Sequence, residues 1–354
     1  MTARIDEGEL IRRLLLVIDE GRRETTYKLA LILAVIDWCV TETSDTVPTG
    51  ALAERVLELY WAQVRPYHRE GDQGFVLVQG RRPKILSEVS SFRNKTGFIV
   101  PLRIARREFT SEYERTVKAV EKVLVQEPIP RLQTTNGQQV PFLYDCTWQP
   151  KVGPRIDDGR HPHVTLRPGV LKGITSLGPL VRPIVERVWT SDLVKWNNLD
   201  SEEAQVRDHL FGSSRRAFTV EVRNAIATVQ GHRCFYCHRR VARATHVDHF
   251  IPWSKHPTDA IENLVVSCKD CNLSKTDHLG SPSLVRRWLD HVSTNSTTLV
   301  EIAAAHNLES NRGRTERIAR GIYGALRPGA LTWTSRGVLE QVDPGSLRSL
   351  LRAF

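Results

Sequence analysis

The stretch CFYCHRRVARATHVDHFIPWSKHPTDAIENLVVSCKDCNLSKTDH, residues 234–278, decides how this chain is read. It holds two C-x-x-C pairs, Cys234 with Cys237 and Cys268 with Cys271. Thiolates two residues apart on a short turn converge on one point, and four of them close a tetrahedron around Zn2+, which makes such a site structural. The pairs are separated by 30 residues (238–267), more than a compact zinc ribbon spans, so something folded fills the gap. Residues 245–253 are β-rich, 263–267 form a short apolar strand, and the residues from Cys271 onward start a helix, giving the order strand, strand, helix. His238, directly after Cys237, meets a ligand set that is already full. Two disulfides are the alternative for the same cysteines. The opening MTARIDEGEL has no apolar signal region, which favours a reducing cytoplasm and zinc.

These residues resemble the HNH nucleases, the ββα-metal family, whose pattern runs C-x-x-C, D-H-[IF]-x-P, N-L and C-x-x-C-N-x-x-K. Every element is present between residues 233 and 279. The third letter of the family name departs, since Asn272 stands in place of histidine, a substitution that also occurs within the family. The resemblance implies an α+β fold, a mainly helical chain carrying a zinc-stapled ββα-metal finger, and a metal-dependent endonuclease that hydrolyses phosphodiester bonds in DNA. By the same resemblance His249 is the general base, suited because an imidazole with a pKa of about 6.5 is largely neutral at working pH. Asp248 then faces a catalytic Mg2+ or Mn2+, and Asn272 is the second protein ligand through its amide oxygen. Oxygen ligands with open water positions suit those hard cations. Asn263, the middle letter, fixes the loop and orients His249, and Lys275 touches the substrate backbone. Successive strand residues point to opposite sides, so aiming both Asp248 and His249 at one phosphate calls for a bend or a strand end there. His246 shares the strand face of Asp248, where it either lines the site or is a surface histidine.

Around this finger lie 354 residues of ordinary globular composition, 40% apolar and 25% charged, with a net charge of +10. Such a charge fits a polyanionic partner, with double-stranded DNA the expected one, and says nothing about sequence preference. Its second concentration runs from residue 79 to 107, where eight basic residues, among them Arg81, Arg82 and Lys84, stand against Glu88 alone. Arg312, Arg314, Arg317 and Arg320 are further candidates for phosphate contacts. Cys39 and Cys146 read as small buried hydrophobes. The most apolar run, residues 29–40, is too short to cross a bilayer and contains Asp37, so it is a core helix and no membrane role is expected. No phosphate-binding glycine loop or dinucleotide fingerprint occurs, which excludes ATP-driven motion as an encoded function. Nothing in the sequence points to a particular protein partner.

Hydrophobic recurrence and punctuation divide the chain into four parts. Residues 1–108 form a helical domain, whose order of three helices, a strand at 75–79 and a further helix also suits a winged-helix-like module. Residues 109–200 carry a helix, a hairpin turning at Asn136-Gly137, a Pro/Gly-rich loop at 148–163, and an apolar run at 170–196 that Pro179 and Pro183 are expected to split into two helices. Residues 201–285 hold the nuclease domain with two buttressing helices, and 286–354 a helical C-terminal region that includes 344–351. The flanking residues are similar to bacterial multidomain HNH proteins of the restriction or defence kind. Two other readings stay open. One is a non-catalytic zinc module that binds nucleic acid, although binding alone needs none of Asp248, His249 and Asn272. The other is RNA cleavage, since the metal chemistry does not use the 2′-hydroxyl.

Overall fold

Residues 29–36, LALILAVI, are apolar on every side, and a helix of that kind must be covered all round. In the computed structural model each of these eight residues is at most 2% exposed. The structure describes residues 4–19, 23–68, 74–79, 83–97, 100, 102–135, 137–153, 162–211, 218–241, 246–253, 255–256, 259–306, 308–324, 326–343, 345, 347 and 350. The chain divides into two units, residues 1–214 and 215–354, and its class is α+β with helix predominating.

The first unit runs α1 (Glu7–Asp19), α2 (Tyr27–Thr41), β1 (Thr46–Pro48), α3 (Thr49–Gln63), α4 (Lys84–Thr96), α5 (Leu102–Glu108), α6 (Thr110–Gln126), α7 (Pro128–Arg131), β2 (Thr134–Thr135), β3 (Gln138–Gln139), β4 (Tyr144–Asp145), β5 (His163–Leu166), α8 (Val170–Asn197) and α9 (Glu203–Leu210). Helix α2 packs on α3 and α8. Gly173 in α8 makes room for α1, because a Cβ there would stand 2.6 Å from the Leu10 side chain. The hairpin forms as expected, β2 pairing with β3, and Gly137 takes the left-handed conformation at φ 76. Two expectations fail. Helix α8 is continuous through Pro179 and Pro183. Each proline forfeits one backbone bond, but Val181, Val185, Trp189 and Leu193 are fully buried along it, so packing keeps the segment in one helix. Residues 75–79 make only a bridge from Phe75 to Tyr67 and no strand. A three-stranded antiparallel sheet, ordered β1-β5-β4, joins residues more than 100 positions apart and has no counterpart in the sequence reading.

The second unit runs α10 (Val220–Val229), β6 (His246–His249), a 3-10 turn (Ile261–Asn263), β7 (Leu264–Ser267), α11 (Lys269–Lys275), α12 (Pro282–Thr294), α13 (Ser296–Ala305), α14 (Arg312–Gly324), β8 (Leu331–Ser335) and β9 (Val338–Gln341). Strands β6 and β7 are antiparallel, with His249 opposite Leu264 and His246 opposite Ser267, and α11 follows to complete a ββα unit. All four residues of β7 are buried, which is why its sequence is apolar without alternation. Val222 and Ile226 of α10 and Leu299 of α13 pack on Leu264 and Val266. Gln230, just past α10, covers the open edge of β7, its side chain accepting from Val266 N and donating to Val266 O. On the other side Phe250 stacks on Trp288 of α12 at 4.9 Å.

The C-terminal residues differ from an all-helical expectation. Three helices form there, but β8 and β9 pair as an antiparallel hairpin. Trp333 of β8 is 1% exposed, meets Tyr236 edge-on at 5.1 Å, and donates from Nε1 to Ser274 of α11. The hairpin therefore belongs to the packing of the ββα unit. Most of residues 344–351 and half of the 148–163 loop lie outside the described residues. No helix among the described residues is long and apolar enough to cross a membrane.

Candidate active site and zinc frame

The Sγ atoms of Cys234, Cys237, Cys268 and Cys271 lie within 4.8 Å of one another, and Cys237 and Cys268 are 3.8 Å apart. A zinc tetrahedron with bonds of about 2.3 Å has edges of about 3.8 Å, so the four thiols cluster closely enough to close on that ion. The first pair sits on a tight turn in which His238 N donates to Cys234 O and Cys234 N to Arg239 O. His238 adopts φ 59 to make this turn, a backbone role, and lies outside the thiol cluster. The second pair brackets the start of α11, with Cys268 in the extended capping position and Cys271 in the first turn. Arg287 of α12 donates to the carbonyls of Phe235 and Tyr236, tying the first turn to the helix behind it.

Beyond the zinc frame, β6 presents its last two residues to different neighbours. Asp248 Oδ2 accepts from the Tyr236 hydroxyl at 2.5 Å and lies 3.1 Å from Lys275 Nζ. Burial, with the Asp248 charge beside it, pushes the Tyr236 phenol well above its ordinary range, so it stays a donor. His249 turns its ring to the other side, with Nε2 2.9 Å from Asp259 Oδ1. The ring meets Trp253 at 5.1 Å and Phe218 at 6.2 Å. His249 is the final residue of the strand, and the backbone bends at Phe250 and Ile251.

Asn263, fully buried, holds that bend. Its side chain accepts from Ile251 N at 2.7 Å and donates to Ile251 O at 3.1 Å, so it braces the loop through the backbone. Asn272 is half-buried on α11, and its amide makes no hydrogen bond among the described residues. It stands three residues before Lys275, hence on the helix face that Lys275 uses to reach β6. The Asp248 carboxylate also has its Oδ1 unengaged among the described residues. An ionised carboxylate oxygen and an amide oxygen are each a donor type that a hard divalent cation takes.

Lys275 corrects the sequence reading. Its side chain is 0% exposed, and Nζ donates to His249 O at 3.0 Å while pairing with Asp248. A buried ammonium needs such partners, and this one cannot reach a substrate backbone. His246 is exposed. The basic residues of the first unit disperse: Arg93 is 3% exposed, lies 3.9 Å over the Trp61 ring and donates to Trp61 O. Arg106 lies over Tyr113 near Glu54, and Arg107 pairs with Glu108. Lys84 is exposed at the start of α4, while Arg81 and Arg82 lie outside the described residues. Arg312 and Arg314 pair with Glu316 and Glu309. Tyr236 and Asp259 escaped the sequence reading. Tyr236 sits inside the first C-x-x-C pair, where an aromatic could have been flagged. Asp259 lies in a polar stretch with no period to single it out.

Residues 234–278 match the family model described as HNH endonuclease. This stretch is an HNH domain. No curated protein and no solved structure matches the chain. The HNH domain points to nuclease chemistry on nucleic acid, and its cysteine cluster to bound zinc.

Proposed function

We propose that the chain is a metal-dependent endonuclease that hydrolyses phosphodiester bonds in double-stranded DNA, with His249 as general base. The observation that carries this reading is the His249 ring at the end of β6. One nitrogen is bonded to Asp259, and the other has no bond among the described residues. An imidazole with one free nitrogen is the equipment for taking a proton from water at a phosphate.

His249 takes the proton from the attacking water. Asp248 and Asn272 would hold one Mg2+ or Mn2+, which when bound supplies charge for the phosphoryl oxygens and the departing 3′ oxygen. Lys275 fixes the strand end by holding the Asp248 carboxylate and the His249 carbonyl together. Tyr236 donates to the same carboxylate and limits its rotation. Asn263 keeps the bend after His249 in place. Zinc on the four cysteines does no chemistry, since a closed thiolate set leaves no open position. Exposed basic residues such as Lys84 add a sequence-independent contribution to binding.

The test is a substrate panel. Purified zinc-loaded protein is incubated with supercoiled plasmid, linear duplex, single-stranded DNA and RNA, with Mg2+, with Mn2+ or with EDTA. Nicking or linearisation of duplex DNA that needs the divalent ion is expected. Cleavage of RNA alone would replace the DNA assignment, and binding without any cleavage would replace the enzyme by a zinc-stabilised binding module.

A further inference from the structure

We infer that Asp259 is a positioning residue for this reaction, holding His249 in the tautomer whose Nδ1 carries the lone pair. The inference rests on the reading of His249 as general base. Asp259 Oδ1 is 2.9 Å from His249 Nε2, and the two side chains are 23% and 19% exposed, so the contact is partly shielded from water. An ionised carboxylate only accepts, so the proton of a neutral imidazole facing it must sit on Nε2. Nδ1 is then an acceptor, the form a base needs to take a proton from water. When it does, Nε2–H still donates to Asp259, so the contact that orients the ring is kept.

The surroundings make the arrangement rigid. Ala260 and Ile261, which follow Asp259, are buried at 2% and 0% exposure. Ile261 N donates to Glu309 O and Asn263 N to Ala260 O, which anchors the chain directly behind the carboxylate. Trp253 and Phe218 flank the imidazole, and the clamp from Asn263 to Ile251 fixes the bend on its other side. Asp259 and His249 are ten residues apart in the chain, and their side chains meet. An ion pair that merely braces the loop would need no particular ring nitrogen. A positioning role requires one.

The experiment uses the full zinc-loaded chain labelled with 15N at histidine, its His249 signals assigned by their loss in His249→Ala. Long-range proton–nitrogen correlation spectra report which ring nitrogen bears hydrogen. The wild type is expected to show the Nε2–H form, and Asp259→Ala a mixture of both tautomers. In cleavage assays Asp259→Ala should lower kcat on the order of 10- to 100-fold, the usual scale for losing a partner that orients another group, with KM, zinc content and DNA retardation unchanged. An Nδ1–H form in the wild type overturns the inference. So does full activity of Asp259→Ala where His249→Ala is inactive, which leaves the base assignment intact. Should the wild type cut nothing, the base assignment fails on its own, and the tautomer spectra alone decide whether Asp259 holds the ring.

Discussion

Helix α11 serves two sites of opposite character. At its first turn Cys271 joins three other thiols in a closed set of four. One residue on, Asn272 leaves its side-chain amide open, and on β6 Oδ1 of Asp248 and, on the opposite side, Nδ1 of His249 have no bond among the described residues. A ligand set that is complete can only hold the fold together, whereas one that is incomplete can bind and turn over something else. The zinc end and the end proposed for catalysis are thus separable in principle, although Cys271 and Asn272 lie in one seven-residue helix. A ββα unit of this size has too little core to stand alone, so the metal and the packed helices α10, α12 and α13 must hold it.

The largest expected effect comes from the closed end. Cys271→Ser removes one of four thiolates, and binding energy at a structural zinc site is folding energy, on the order of 10 kcal/mol in small zinc peptides. Metal analysis should find one zinc per wild-type chain and none in the variant, with the melting transition of residues 215–354 lost. A variant that melts like the wild type would show that the thiols do not carry the fold. A smaller loss is expected where the two ends meet. Lys275→Met leaves the Asp248 carboxylate without its buried cation, and breaking such a pair costs about 3–5 kcal/mol. Urea unfolding of the zinc-loaded protein reads it, and an unchanged midpoint would mean that Asp248 finds water instead. Of the same order is Asn263→Ala. It strands the Ile251 N–H and C=O, each buried polar group left unmet costing about 1–3 kcal/mol, and zinc should stay bound. Hydrogen exchange at Ile251 should quicken in that variant, and protection equal to the wild type would remove Asn263 as the brace.

How much of this could be read beforehand depended on how local the cause was. The cysteine spacing, the Asp248–His249 step and the order of β6, β7 and α11 are short-range features, and period and punctuation carry them. Lys275 was misplaced because a lysine in a short helix is ordinarily solvated. Its burial depends on Asp248 and Tyr236, which arrive from 27 and 39 residues earlier in the chain. The hairpin of β8 and β9 was hidden for a similar reason. Its strands are 5 and 4 residues long, and Trp333 finds its partners, Tyr236 and Ser274, in the HNH domain. Helix α8 failed in the opposite direction, since a local rule about proline was overridden by burial along its length. The contact between Asp259 and His249 has no signature at all in a single sequence, because a loop of any composition can return a carboxylate.

The central claim is that chemistry belongs to the open end alone, and His249→Ala tests it most directly. A general base contributes roughly 10² to 10⁴ in rate, while the zinc frame and the basic surface do not depend on it. The variant should therefore retain its zinc, melt with the wild type and retard duplex DNA with the same salt dependence, yet leave supercoiled plasmid intact where the wild type nicks or linearises it. Cleavage at the wild-type rate, or loss of DNA binding and folding together with cleavage, would contradict the account.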